Sequence, residues 1–178
     1  MVGRRSFIVF AAAAASAAAT PRRASAAAST ERWIWAQNDA GEEVATAYRA
    51  GDQYHPAALA HLRHLFRDLR EGVEGPLPPL LVDMLSVLQE GLGYRRPLLV
   101  GSGFRTPRTN ASLEGAAPAS FHLRGSAADI SVRGIAPLEL GLAVWTLSQR
   151  FGFMGVGLYR GFVHVDIGPR RAWTRLAS

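Results

Sequence analysis

The stretch from Ser120 to Asp129 constrains this chain more than any other. It reads S-x-H-x-x-G-x-A-x-D, with Ser120, His122, Gly125, Ala127 and Asp129 as its fixed points. A second histidine stands far downstream, in Phe162-Val163-His164-Val165-Asp166. His122 and Asp129 are seven residues apart, whereas two ligands on one helix face would stand three or four apart. Gly125 and Ser126 between them fit a turn that leads into a strand. Ala127 to Val132 has the alternation of a strand: Asp129 shares a face with Ala127 and Ser131, while Ala128, Ile130 and Val132 point the other way. In Phe162 to Ile167 the same period puts Phe162, His164 and Asp166 on one face and Val163, Val165 and Ile167 on the other. Two strands of one sheet can then present His122, Asp129 and His164 to one cation. Two neutral imidazoles and a carboxylate suit tetrahedral zinc, and a fourth position left to water marks a catalytic rather than a structural site. A lone histidine on a strand is ordinarily a satisfied core or surface residue, so the reading rests on the combination.

The same residues carry a resemblance. Gly101-Ser102-Gly103-Phe104-Arg105-Thr106-Pro107, Asn110, the ten-residue pattern, and Phe162-Val163-His164-Val165-Asp166-Ile167-Gly168 followed by Arg171 and Trp173 resemble the murein endopeptidase K family. That family is similar to the D-alanyl-D-alanine carboxypeptidases and lies in the zinc peptidase superfamily shared with lysostaphin and the hedgehog fold. The resemblance spans about Trp33 to Trp173. It implies a zinc-dependent endopeptidase that hydrolyses amide bonds in peptidoglycan stem peptides or their cross-links. It also implies that Arg105 lies near the substrate, where a guanidinium can pair with an oxyanion or a stem-peptide carboxylate. Ser120 is taken as a further substrate contact. Related enzymes carry an acidic residue three positions before the last zinc histidine, or a histidine two before it; here those positions are Gly161 and Phe162. Asp166 is the nearest carboxylate in sequence, about 6.6 Å from His164 between Cα atoms on the same strand face. It is read as the general base or as a group orienting an imidazole. Three other readings stay open: a D,D-carboxypeptidase, a zinc-bearing cell-wall-binding module without catalysis, and a soluble periplasmic domain with incidental zinc.

The remainder of the chain supports that centre. Met1 to about Ala26 reads as an export leader, with Arg4-Arg5 resembling a twin-arginine signal, an alanine-rich run, and a cut after Ala26 or within Ala17 to Ala19. The apolar run is shorter than the roughly 20 residues that span a bilayer, so no stable membrane anchor is expected. Partners are then the twin-arginine export machinery and peptidoglycan stem peptides, in the periplasm or outside the cell. The formal charge of +6 includes Arg4, Arg5, Arg22 and Arg23, and without them it is about +2, too little to argue for nucleic acid. With no cysteine, the chain has neither a thiolate nucleophile nor a disulfide framework. Gly-x-Ser-x-Gly and Walker patterns are absent.

Residues 27–178 are expected to form one α+β domain, a small antiparallel sheet carrying the zinc site and about three flanking helices. Trp33 to Arg49 reads as a hairpin turning at Asn38 to Gly41, its tryptophans covering a core or lining a groove. Helices are predicted over Ala57 to Glu74, Pro79 to Glu90 and Pro137 to Arg150, the last with Leu138, Leu142, Val144 or Trp145, and Leu147 facing in. His61 and His64 on the first helix read as surface residues. Leu98 to Gly101 reads as a buried strand, Thr106 to Ser120 as a long functional loop, and Gly155 to Tyr159 with Gly161 to Ile167 as a closing hairpin.

Overall fold

The computed structural model describes residues 31–176. The expected export leader, and with it the boundary near Ala26, lies outside the described residues. Eight strands form one sheet: β1 (Glu31–Asn38), β2 (Glu43–Ala50), β3 (Gln53–Tyr54), β4 (Leu98–Ser102), β5 (Ala127–Ser131), β6 (Phe153–Tyr159), β7 (Val163–Pro169) and β8 (Arg171–Arg175). Their order is β3-β2-β1-β4-β5-β7-β6-β8. The helices are α1 (Pro56–Leu65), α2 (Pro79–Gly91), the short α3 (Pro107–Ser112) and α4 (Pro137–Phe151). A 3₁₀ turn covers Phe121–Arg124.

The α+β class holds, but the sheet is larger than expected and mixed rather than antiparallel. β1 pairs with β4 in parallel, and β8 pairs with β6 in parallel. A parallel pair needs a crossover of a dozen residues or more. The segment holding α1 and α2 provides one, and so joins the N-terminal hairpin to the strands of the ligand pattern.

Each long helix starts at a proline, whose fixed φ suits the first helical position and whose missing N–H has no partner to lose there. α4 ends at Gly152 in the left-handed region, φ 77°. α1 is shorter than predicted, ending at Leu65 instead of near Glu74. The Asp68 carboxylate captures the backbone N–H groups of Arg70 and Thr106, offering the chain a turn in place of another helical one. Within the expected Thr106–Ser120 loop, the Thr106 hydroxyl caps α3 by accepting from Thr109 N–H. The face of α4 differs in part: Val144 is inward as read, but its inward neighbours are others. Leu140, Val144 and Ser148 are buried at a spacing of four, while Leu138 and Leu142 point outward.

α1, α2 and α4 all pack on one side of the sheet. Ile34, Ala36, Leu98, Val100, Ala128, Ile130, Val163 and Val165 meet Leu62, Leu65, Leu81, Leu85, Leu140 and Val144 there. Burial at roughly 25 cal/mol per Å² of apolar surface makes this side the source of stability. Alternation sends Asp129, His164 and Asp166 to the opposite side, which those helices leave uncovered.

Candidate metal centre

His122 comes from the 3₁₀ turn, Asp129 from β5 and His164 from β7. β5 and β7 are antiparallel neighbours, and Asp129 stands directly opposite His164 in their register. His122 is delivered by the turn ahead of β5. Ser120 caps that turn by accepting from His122 N–H at 3.3 Å. Gly125 closes it in the left-handed region, φ 61°, and a Cβ there would overlap the Pro76 carbonyl. Glycine is therefore required both for the turn and for the approach of the Pro76 segment.

The three ligand atoms form a tight triangle. His122 Nε2 lies 3.2 Å from Asp129 Oδ1 and 3.1 Å from His164 Nδ1, and His164 Nδ1 lies 2.9 Å from Asp129 Oδ1. Each imidazole has its other nitrogen engaged: His122 Nδ1 donates to the Gly103 carbonyl at 2.6 Å, and His164 Nε2 to Asp166 Oδ2 at 3.1 Å. With those tautomers both inward nitrogens are lone pairs facing a carboxylate oxygen. Three acceptors converging without a proton between them suit a cation. Zinc–ligand bonds of 2.0–2.1 Å in a tetrahedron place ligand atoms about 3.3 Å apart, close to this spacing. Among the described residues these are the histidine and carboxylate side chains that converge so closely. His61 and His64 take no part: both are exposed on α1, and His64 pairs with Glu74.

Electrostatics reinforce the arrangement. When no cation is held and the inward nitrogens carry protons instead, burial alone would raise the Asp129 carboxyl, yet hydrogen bonding from His122 and His164 outweighs it and holds the pKa well below the usual range. In that same state burial opposes a charged His164, but hydrogen bonds to Asp129 and Asp166 raise its pKa. Arg105 lies beside the ligand triangle. Its Nη2 donates to Asp129 Oδ2 and its Nε to Ser102 Oγ at 2.8 Å. The Arg105 backbone N–H donates to the His122 carbonyl, and Thr106 N–H to Asp68.

Asp166 stands behind His164 and is fully buried. Arg171 grips it with two nitrogens, Nη2 to Oδ2 at 2.6 Å and Nη1 to Oδ1 at 3.1 Å, and Gly168 N–H donates to Oδ1. Burial would raise its carboxyl; hydrogen bonds to His164, Arg171 and Gly168 lower it instead. The sequence reading gave Arg171 and Trp173 no role, and the structure explains how they arrive. They sit on β8, two strands from β7, and reach over β6 at Gly155 and Gly157. A Cβ at Gly155 would meet Asp166 and Arg171, and one at Gly157 the Trp173 ring. Trp173 thereby comes within 5.3 Å of the His164 ring, centroid to centroid. The signal was present as glycine at two alternate positions of one strand, the mark of a close approach.

Two grooves meet at the centre. One, of about 470 Å³, is lined by Asp39, Leu99, Gly101, Arg70 and Ser131. The other, of about 500 Å³, is lined by Glu114, Ser120, His122, Tyr159, His164 and Trp173. Arg105, Leu113, Asp129 and Phe162 line both. Ser120 thus faces a groove as well as capping its turn.

Known proteins are similar to this chain in sequence. A family profile described as peptidoglycan L,D-endopeptidase MepK matches residues 25–173. The peptidoglycan L,D-endopeptidase MepK of Escherichia coli strain K12 is 40% identical over 139 residues, covering 75% of this chain and 74% of that protein. The Shigella flexneri protein of the same name matches to the same extent, 40% over 139 residues. The probable peptidoglycan L,D-endopeptidase MepK of Haemophilus influenzae is 30% identical over 142 residues, covering 76% of this chain and 74% of that protein. No solved structure matches. With its ligand triangle, its arginine and its buried carboxylate all inside the matched span, the chain belongs to the peptidoglycan L,D-endopeptidase MepK family.

Proposed function

We propose that this chain is a zinc-dependent endopeptidase of peptidoglycan, cutting amide bonds in stem peptides or their cross-links. The observation that carries the reading is the position of the ligand triangle where two grooves meet, with room for substrate on both sides of a scissile bond. An endopeptidase needs both sides, whereas a carboxypeptidase needs a closed end. The relatives' name, L,D-endopeptidase, favours an L,D bond as the target.

His122, Asp129 and His164 would hold zinc, and the bound metal supplies a water of lowered pKa and a polarised carbonyl. The remaining roles fall to the chain's own groups. Arg105 fixes Asp129 and turns its free N–H groups toward the grooves, where they meet a carbonyl oxygen or a stem-peptide carboxylate. Asp166, buried between His164 and Arg171, orients the imidazole through Nε2 rather than reaching the substrate; this replaces the reading of Asp166 as the general base. Ser120 shapes the groove wall beside His122.

Digestion of cross-linked muropeptides followed by mass spectrometry tests the function. New peptide termini should appear, vanish with a chelator and return with zinc. Uncut cross-links in the presence of zinc would reject the proposal. We also propose export by the twin-arginine route, on the strength of Arg4-Arg5. Replacing both with lysine should leave precursor in the cytoplasm, and unchanged export would point to the general secretory route.

A further inference from the structure

We propose that the open side of β1 and β2 is a second binding site, for the sugar strand of peptidoglycan. The inference rests on the proposed function for the identity of the polymer. Trp33 and Trp35 alternate with Ile34 and Ala36, which are buried under the helices, so the indoles lie on the same side of the sheet as Asp129 and His164. They do not cover a core. Trp33 is 47% exposed.

The surroundings suit a saccharide. In the β1–β2 register Trp33 faces Ala47 and Trp35 faces Ala45. The residues opposite the indoles are thus small, with only a methyl group each. Next in register, Gln37 faces Glu43. Trp35 Nε1 donates to Glu43 Oε1 at 2.6 Å, Gln37 Nε2 to Glu43 Oε2 at 3.4 Å, and Arg133 to Gln37 Oε1 at 3.4 Å. One indole is therefore held in place beside a row of donors and acceptors. Pyranose rings offer this chemistry in reverse, with C–H faces that pack on aromatic rings and hydroxyls that bond at the rim.

The backbone beneath is held as well. α2 supplies Gln89, which accepts from Trp35 N–H and donates to Trp35 O, and Ser86, which donates to Trp33 O. Charge separates the two parts of the surface. Glu43 and Arg133 balance on the tryptophan side, fitting an uncharged run of sugar rings, whereas Arg105, Arg171 and Arg175 line the groove beyond the ligands, fitting peptide carboxylates. The two parts share one sheet face, since Gln37 stands beside Leu99 and Leu99 beside Ser131 in register, and Leu99 and Ser131 line the groove at Asp129. At strand spacings of about 4.8 Å and a rise of about 3.3 Å per residue, Trp35 stands on the order of 15 Å from Asp129. A stem of three or four extended residues spans roughly 10–14 Å. One such stem therefore falls a little short of joining the indoles to the ligand triangle, so a strand seated on Trp33 and Trp35 presents to the ligands a stem carried by a sugar further along the same strand.

The test uses the mature protein and peptide-free glycan strands, with binding measured by calorimetry. The wild type should bind. Trp33→Ala and the Trp33→Ala/Trp35→Ala pair should weaken binding by about tenfold or more, as expected for loss of a stacking face. The same variants should lose a similar factor on intact sacculi yet keep the wild-type rate on glycan-free cross-linked peptides. Because Trp33 is exposed, Trp33→Ala alone carries the test should the pair fail to fold. Absence of wild-type binding to the strands, or equal binding by the variants, overturns the proposal. So does a shift from oligomer to monomer in Trp33→Ala with glycan binding intact, since a second copy would then occupy this side. The binding measurement needs no catalysis: a protein that binds strands but cuts nothing rejects the proposed function alone, and one that cuts without binding rejects only this site.

Discussion

The two sides of the sheet are built from the same strands and differ in almost every other respect. On β5, Ala128 and Ile130 enter an apolar layer closed by three helices, while Asp129 between them faces two imidazoles and a guanidinium. On β7, Val163 and Val165 do the first job and His164 and Asp166 the second. The helix side tolerates no gaps, because a close-packed interior loses contacts with every missing atom. The open side is hollowed by glycine so that polar side chains from β8 can cross β6. Stability and chemistry are therefore separated by one residue step, and neighbouring substitutions should fail in different ways.

The sharpest contrast comes from the open side. His122→Ala should reduce zinc from about one per chain to none and abolish hydrolysis, while the fold survives on the helix side. Stoichiometric zinc by metal analysis in that variant would break the assignment of ligands. The converse is Ile130→Ala, which should cost roughly 2–5 kcal/mol in denaturant unfolding. Zinc stoichiometry should stay unchanged; loss of zinc in a folded Ile130→Ala protein would show that the two sides are not separable.

A smaller effect is expected one layer behind the ligands. Asp166→Asn keeps the three ligands but weakens the hold on the His164 tautomer, so zinc affinity should fall about 10–100-fold. A competition titration with a chelating dye measures it. An unchanged affinity with a rate loss of 10²-fold or more would restore Asp166 as the base.

The weakest lever lies far from both. Glu42 and Arg67 pair through two hydrogen bonds that join the β1–β2 turn to the end of α1, and hydrogen bonding from Arg67 lowers the Glu42 pKa to about 2. A depressed carboxyl stabilises the fold fully above its unfolded value of about 4.3 and loses that contribution as pH falls through the folded value. Melting temperatures of the wild type and Glu42→Gln should differ slightly at neutral pH and converge between pH 4 and about 2. A gap that persists at low pH would mean the pair acts through packing instead.

Much of the centre was legible in the chain because alternation along a strand is a local property. The glycine turn between His122 and Asp129 follows from local backbone chemistry and the shared face of His164 and Asp166 from a period of two, and both are found. Helix starts were equally legible, since proline fixes the first turn on its own. Helix ends were less so. α1 stops where Asp68 bonds to Thr106, a partner 38 residues away. Similarly, α4 turns a different stripe inward, because which of its apolar residues meets the sheet depends on how the helix docks.

The sequence by itself thus determined which residues can bind metal, on which side of their strands they lie, and to which family the chain is similar. Only the tertiary structure decided that β1 and β8 join the sheet in parallel, and that Arg171 reaches Asp166 across a trough of glycines. It also decided that Asp166 is sealed behind His164 and that Trp33 stands exposed, with Trp35 half-buried beside it, on the side of the ligands. The physical reason is range. Periodicity and capping act within a few residues, whereas parallel pairing, close approach and burial are contacts between segments that the chain brings together only when it folds.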